Sequence, residues 1–248
     1  VALGWTMAEA GQTLDPAVHE QAERALRGEI RRRADGSYAQ IDLEHTDWTC
    51  QQTDNPGATQ MYLLRFYILP ALATAWRVTG DERYAAGARR YMVAYLRDFP
   101  TRDDWEPARY DRATQYDIRV GSTDNWGWLG SLPAFIGSQA FDEAFCLELL
   151  AAVQVHLRYL YSHVYPDRNI RILHGDVLLL NGFRLAHLPE AAAWRERGRR
   201  IINDALRRQV LADGAHLEAV PGYHNGVMHL LTNLWRLGRG LPELGLEI

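Results

Sequence analysis

Four side chains that can carry or accept a proton lie in one short stretch of the sequence: His216, Glu218, Tyr223 and His224. Imidazole, carboxylate and phenol groups are common general acids and bases in enzymes. Residues 213–224 are therefore the first candidate for acid–base chemistry. Structural roles are the alternatives, because a glutamate in a loop often orders that loop by accepting backbone hydrogen bonds.

Two predicted helices hold this stretch at its ends. An amphipathic pattern runs from 190 to 211 and stops at Asp213-Gly214, where glycine suits a left-handed turn. A second helical pattern begins near Gly222 and continues to Gly240. A loop between two rigid helices can hold its side chains at the rim of a cleft.

Further polar candidates lie on other predicted elements. His174 and Asn181 are two turns apart on one face of a predicted helix, residues 174–188. Each could contact a ligand or pack inside the protein. Arg119 lies in a long polar segment, where it could bind an anion or pair with a neighbouring aspartate.

Tryptophans are candidates for stacking against a ligand. Trp126 and Trp128 are two residues apart, so on a helix they cannot share a face; one could stack on a ligand while the other fills the core. Trp48, in a predicted loop, is a further candidate. His156 and His163 have no acidic or sulfur ligand between them at metal spacing, and the sequence predicts no metal site.

Composition narrows the class of protein. The 248 residues carry a formal net charge of −4, which argues against a nucleic-acid-binding protein, and no apolar run is long enough to span a membrane. All 27 basic residues are arginine, so every permanent cation can form a planar fork with a carboxylate or sulfate. Cys50 and Cys146 are too few for a disulfide framework.

Helical periodicity dominates the chain. Asp15-Pro16 predicts a capped helix start, Pro70 predicts a kink or break, and Gly80-Asp81 predicts a sharp stop and restart. A short strand could lie in the loop 34–55. The predicted helices cover about residues 15–33, 57–78, 82–99, 125–140, 142–163, 174–188, 190–211 and 222–240. Such repeated antiparallel pairs predict an all-α ring or bundle whose long loops form a cleft.

The order of these signals resembles the heparinase II/III-like polysaccharide lyases. Four stretches between about residues 48 and 236 carry the resemblance: the helix pair from Leu63-Leu64-Arg65-Phe66 to Thr79-Gly80-Asp81-Glu82, Tyr116-Asp117-Ile118-Arg119-Val120 before Asn125-Trp126, His174 with Asn181-Gly182, and Asp213-Gly214-Ala215-His216-Leu217-Glu218 leading to Tyr223-His224. The resemblance implies an incomplete α/α toroid of helical hairpins. Residues 1–248 would form a single toroid domain, the N-terminal part of a longer lyase with a C-terminal β-sandwich.

The resemblance also implies β-elimination on an acidic, uronic-acid-containing polysaccharide, without a cofactor and in the periplasm or outside the cell. Tyr223 would act as base and acid, and His174 would neutralise the substrate carboxylate with support from Arg119. A free phenol has a pKa of about 10, so nearby cations would have to favour the phenolate. The expected substrate contacts are Arg119, Asn181, Glu218, His224, Trp126 and Trp48.

Two other classes remain open at this point. A glycoside hydrolase on a similar helical ring would need two opposed carboxylates, for which Glu218 with Asp176, or Asp104 with Asp111, are the available pairs. A non-catalytic carbohydrate-binding domain would keep an aromatic and arginine-lined cleft without turnover.

Overall fold

A computed structural model describes residues 13–31, 36–51, 56–99, 123 and 127–247. The chain divides into two compact units, Val1–His156 and Leu157–Ile248. The elements, in chain order, are α1 (Pro16–Leu26), β1 (Glu29–Arg31), β2 (Tyr38–Gln40), α2 (Pro56–Leu64), α3 (Leu69–Thr79), α4 (Glu82–Asp98), α5 (Trp128–Ser131), α6 (Glu143–Ser162), α7 (Arg168–Arg184), α8 (Ala191–Gln209) and α9 (Pro221–Gly240). Short 3₁₀ turns follow α5 at Leu132–Phe135 and α9 at Pro242–Leu244. Within the described part of the chain, each helix is too short or too polar to cross a bilayer.

In the first unit, the first predicted helix starts where expected but ends early. Asp15 caps α1 by accepting the Ala17 N–H at 2.8 Å, which confirms the predicted start. The helix ends at Leu26, and the chain turns at Gly28, whose φ is +79°. A Cβ at that glycine would lie 2.6 Å from the Ile41 carbonyl oxygen. The helix predicted to continue to about 33 is thus replaced by strand β1.

Strands β1 and β2 form a two-stranded antiparallel sheet in which Ile30 faces Ala39. Ile30 is completely buried, so tertiary packing outweighs the helical tendency of this stretch. The short strand predicted between residues 34 and 55 is confirmed as β2.

In the next helical hairpin, the structure confirms most of the predicted helix starts and ends. The helix predicted from 57 to 78 is split into α2 and α3 by a turn at 65–68, and Pro70 lies in the first turn of α3. Gly80 caps α3 with φ +70°, and Asp81 caps α4 by accepting the Arg83 N–H at 3.0 Å. By contrast, the helix predicted at 125–140 is wrong in length, because α5 has four residues and passes directly into a 3₁₀ turn.

In the second unit, α8 and α9 lie close to their predicted bounds, whereas α7 begins at Arg168 rather than near 174. Asp167 caps α7 by accepting the Arg168 N–H at 2.8 Å. The core of this unit joins α7, α8, α9 and the final 3₁₀ turn through Ile172, Leu179, Leu180, Ile202, Val227, Leu231, Leu234 and Leu244.

Helices α7 and α8 approach closely at glycines. A Cβ added at Gly198 of α8 would lie 2.4 Å from the Leu179 backbone nitrogen and 2.6 Å from the Gly175 carbonyl oxygen of α7. Because backbone atoms cannot move aside without moving the helix, a hydrogen side chain at this position allows the two helices to pack.

We expect Gly198→Ala to lower the free energy of unfolding by about 2 kcal/mol or more, since overpacking forces the helices apart. Gly238→Ala in α9 is the matched control, because a Cβ there meets nothing within 4 Å. The control should gain about 0.5–1 kcal/mol from its better helix propensity. Urea unfolding measures both, and equal stability of the two variants would contradict the close approach.

The early start of α7 places His174 inside the unit, where it is 1% exposed. Its Nδ1 accepts the Tyr165 N–H at 2.9 Å, so the neutral ring carries its proton on Nε2. Burial, and then the positive charge of Arg171, lower the pKa of His174 from its ordinary 6.5 to about 3. The ring is therefore neutral near pH 7.

A histidine with a lowered pKa binds its proton in the unfolded chain first, so its effect on stability has a definite sign. Its contribution is intact above pH 6.5 and is lost as the pH falls toward 3. We expect the wild type to lose about 2–3 kcal/mol more than His174→Asn between pH 7 and pH 4.5. The asparagine oxygen can accept the Tyr165 N–H but does not titrate. Urea unfolding at both pH values measures the difference, and parallel losses would show that His174 is not buried in its neutral form.

Candidate active site

The loop between α8 and α9 is a compact turn. Gly214 has φ +83°, which confirms the predicted left-handed glycine turn. Val210 and His216 face each other in a single antiparallel bridge, and the Leu217 N–H donates to the Gln209 carbonyl at 2.8 Å. These bonds fix the backbone that carries the proton-bearing side chains.

His216 lies at the centre of a buried hydrogen-bond network and is 1% exposed. Its Nδ1 accepts the Glu218 N–H at 3.4 Å, so its proton lies on Nε2, 3.2 Å from the Gln209 side-chain oxygen. The Gln209 amide in turn donates to an Asp167 carboxylate oxygen at 3.3 Å. Burial lowers the pKa of His216, although the Glu218 carboxylate opposes the shift. A neutral imidazole thus connects the loop to the cap of α7.

Glu218 makes the second connection between the loop and α7. One carboxylate oxygen accepts the Asn169 N–H at 3.2 Å, and the other lies 3.8 Å from the Arg168 guanidinium. The side chain is only 10% exposed. A negative charge at a helix N-terminus is favourable because the N–H groups there have no partners in the helix. The sequence identified Glu218 as a substrate contact, whereas its observed bonds order the loop against α7.

Unusual backbone occurs on both sides of this contact. Arg168 has φ +65° and Ala219 has φ +53°, a region that non-glycine residues rarely adopt. Such conformations persist where the surroundings hold them, and they concentrate at functional sites. The junction between the loop and α7 is therefore held in a defined, costly geometry.

The first turn of α9 carries the most exposed member of the group. Tyr223 is 42% exposed. The neighbouring His224 accepts the His216 N–H on Nδ1 at 3.2 Å, which leaves its Nε2 for another partner. The network thus fixes the imidazole next to a phenol that solvent can reach.

Three other predicted site residues lie in the interior. As described above, His174, which the sequence assigned to neutralise the substrate carboxylate, is buried and neutral. Asn181 is completely buried, and its side-chain oxygen accepts from Arg184 at 3.1 Å. Trp48, in the first unit, is 2% exposed and donates its indole N–H to Asp98 at 2.8 Å. All three side chains are buried with the hydrogen-bond partners given above, and their roles in substrate binding stay predictions.

Two predicted substrate contacts, Arg119 and Trp126, lie outside the described residues. Trp128, the other member of the tryptophan pair, is completely buried. It packs edge-on against Phe66 and Tyr95 in the core of the first unit.

The structure adds residues that the sequence did not select. Arg168, Asn169 and Gln209 all contact the loop, and the Arg168 side chain is 70% exposed. The sequence does contain a signal for Arg168 and Asn169. Asp167 is a good helix cap and is followed by polar and then apolar residues. Treating it as a cap would have moved the start of α7 and placed Arg168 and Asn169 on its first turn.

The described group can perform acid–base chemistry on an anionic substrate. It combines an exposed phenol, an imidazole with one nitrogen available, an exposed guanidinium and the N-terminus of a helix. The exposed guanidinium favours bound negative charge, whereas the helix N-terminus already binds the Glu218 and Asp167 carboxylates.

Comparison with known proteins assigns the family. The family model described as heparinase II/III N-terminus matches residues 5–241. A heparin-sulfate lyase of Pedobacter heparinus is 26% identical over 231 residues, which cover 88% of this chain and 32% of that protein. The chain thus spans about a third of the length of this curated relative.

Solved structures support the same fold. Heparinase III matches with a TM-score of 0.80 at 19% identity, over 96% of this chain and 37% of that one. The heparan sulfate lyase HepC from Pedobacter heparinus matches with a TM-score of 0.69 at 22% identity, over 96% and 37%. These likenesses confirm the predicted all-α toroid fold. Since the family model covers nearly all of the sequence, the chain belongs to the heparinase II/III family, whose N-terminal region it matches.

Proposed function

We propose that this chain is the helical part of a lyase that cleaves a uronic-acid-containing polysaccharide by β-elimination, with Tyr223 as the acid–base group. Membership of the family and the name of the relative, heparin-sulfate lyase, support the reaction class. The predicted C-terminal β-sandwich and the predicted location in the periplasm or outside the cell belong to the same proposal.

One observation carries the assignment of Tyr223. Its phenol is exposed on the first turn of α9, and the residues just before it are tied to α7 through His216 and Glu218. A general base must be held in place and also be reachable by its substrate. Among the titratable side chains of the loop network, Tyr223 combines an exposed reactive group with a backbone fixed by buried bonds.

One side chain can carry out both proton transfers of the reaction. The Tyr223 phenolate removes the proton at C5 of the uronate, the electron pair forms the C4–C5 double bond, and the glycosidic oxygen leaves C4. The phenol then returns its proton to that oxygen, so one side chain serves as base and acid. The products are a chain with an unsaturated uronate at its new non-reducing end and a chain with a new reducing end, and the reaction involves no redox change.

Elimination also requires that the uronate carboxylate be neutralised, since two adjacent negative charges would resist loss of the C5 proton. We assign this task to the start of α7, where Arg168 is exposed and permanently charged. His174, which is neutral and buried, is not retained in that role. We propose that His224, whose Nδ1 accepts the His216 N–H, binds a sugar hydroxyl or carboxylate through Nε2. Arg119 and Trp126 remain predicted contacts.

The hydrolase alternative finds no comparable support. Of the pairs considered, Glu218 is engaged with α7 and Asp176 is 4% exposed, while Asp104 and Asp111 lie outside the described residues. Ultraviolet absorbance separates the classes: a lyase makes an absorbing unsaturated uronate, a hydrolase makes only reducing ends, and a binding domain makes neither.

We expect Tyr223→Phe to lower turnover at least a hundredfold while polysaccharide binding stays within about threefold of wild type, since only the proton carrier is removed. The control is Tyr38→Phe in β2, a phenol of the first unit whose ring lies under Arg24. Product is measured as the rise in ultraviolet absorbance, and binding by calorimetry, on the gene product that carries this chain. Wild-type turnover by Tyr223→Phe would refute the assignment.

Glu218 should act through position rather than through proton transfer. We expect Glu218→Ala to lower the free energy of unfolding by about 1–3 kcal/mol, because the Asn169 N–H loses its acceptor, and to lower turnover as the loop loosens. Glu218→Gln keeps an acceptor oxygen and should restore most of the stability. Glu243→Ala, at an exposed site in the final 3₁₀ turn, is the control. If the glutamine variant were as damaged as the alanine variant, the hydrogen bond would not be the cause.

A further inference from the structure

A groove on the second unit is lined by more arginines than its acidic neighbours can neutralise. The groove has a volume of about 580 Å³ and is lined by six arginines: Arg171 from α7, and Arg197, Arg199, Arg200, Arg207 and Arg208 from α8. Asp204 and Glu247 are its acidic lining residues. We call this feature the arginine groove.

Ion pairs compensate part of this charge. Glu196, beside the groove, pairs with Arg199 and with Arg200; Asp204 lies 3.4 Å from Arg208 and 3.9 Å from Arg171. Glu247 pairs with Arg207. Among the described residues, six cations therefore share three carboxylates, which leaves a surplus of three positive charges. This local excess of positive charge contrasts with the net charge of the whole chain, which is −4.

Arg197 is the least compensated member. Its guanidinium lies 4.8 Å from the centre of the Tyr161 ring, which holds the side chain in place. Its Nε is buried and has no hydrogen-bond partner among the described residues. A buried donor without an acceptor is costly, and grouped like charges repel one another. The repulsion falls when an anion with several oxygens enters the groove.

We propose that the arginine groove is a binding site for sulfate groups of a sulfated polysaccharide, separate from the loop network around Tyr223. Sulfate presents several oxygens in a compact tetrahedron, and a guanidinium donates parallel hydrogen bonds from a planar fork. Arginines from two helices can contact more than one group along a flexible chain. The proposal rests on the proposed function only in taking the ligand to be a polysaccharide.

The site occupies a defined place relative to the loop. Arg207 and Arg208 immediately precede Gln209, which bonds to His216, and Arg171 follows Asn169 by half a turn of α7. The groove and the loop network are therefore built on the same two helices. A sulfated chain held by the groove would be anchored on the rigid frame that carries the loop.

Binding without turnover tests the proposal. The probes are a heparin oligosaccharide, which is sulfated, and a hyaluronan oligosaccharide of equal length, which contains uronate but no sulfate. The variant is Arg197→Gln combined with Arg200→Gln. The control is Arg236→Gln combined with Arg239→Gln, which removes the same charge from exposed positions of α9 that do not line the groove.

We expect the groove variant to bind the heparin probe at least tenfold more weakly than wild type, with hyaluronan binding changed by less than threefold. The α9 control should match wild type for both probes, and thermal unfolding should show that both variants fold. Sulfated binding should also weaken more steeply with added salt in the wild type than in the groove variant.

Several outcomes would overturn the proposal. Unchanged heparin binding by the groove variant would exclude the site. Equal losses in the groove variant and the control would show a response to total charge, and equal losses for both probes would show that sulfate is not the ligand. If an acidic segment of the protein itself filled the groove, the variant would change thermal stability but not heparin binding. Failure of turnover on every polymer, with this binding pattern intact, would refute the lyase proposal alone.

Discussion

The Glu218 carboxylate at the start of α7 is the contact on which the geometry of the loop depends. The loop follows α8 in sequence, yet its glutamate bonds to a residue 49 positions earlier. A second route runs from His216 through Gln209 to the cap residue Asp167. Each bond in such a network is worth on the order of 1 kcal/mol, but a missing one leaves a buried polar group unpaired. The network thus favours one arrangement of α7, α8 and the first turn of α9.

In the second unit, the buried histidines are neutral and the arginines carry the positive charge. His174 and His216 are both buried, both accept a backbone N–H on Nδ1, and both have a lowered pKa. They provide shape and hydrogen bonds without charge. Positive charge comes instead from arginine, which does not lose its proton near neutral pH. The arginines therefore stay charged over the pH range in which histidines can change their charge.

Local chemistry explains which parts of the fold could be predicted. Asp15, Gly80 and Gly214 act on their immediate neighbours, and each was identified correctly from the sequence. The strand at Glu29–Arg31 could not be predicted in the same way, because its conformation depends on pairing with Tyr38–Gln40. The contacts of Trp128 with Phe66 and Tyr95 are likewise tertiary and have no local signal in the sequence.

The candidate site shows the same difference between local signals, which the sequence reveals, and tertiary contacts, which it does not. The sequence pointed to the loop between α8 and α9 as the candidate, because its proton carriers are close together in the chain. It did not find Arg168 or Asn169, which meet the loop only after α7 folds against it. Nor could it assign His174, since the protonation state of an imidazole depends on its burial and on the backbone group that it accepts from. Residue type restricted the candidate chemistry, and tertiary contacts determined which candidate side chains are buried and which are exposed.

In the two proposals, the arginine groove holds the substrate and Tyr223 acts on the sugar that reacts. Contacts that hold substrate and transition state equally do not speed the chemical step, but they can position a long substrate for groups that act only in the transition state. An anchor of permanent charges suits the first task, because its strength does not change during reaction. A phenol whose charge changes in each cycle suits the second. Placing the anchor and the phenol on the same helix framework would convert binding of a distant sulfate into a fixed position for the sugar that reacts.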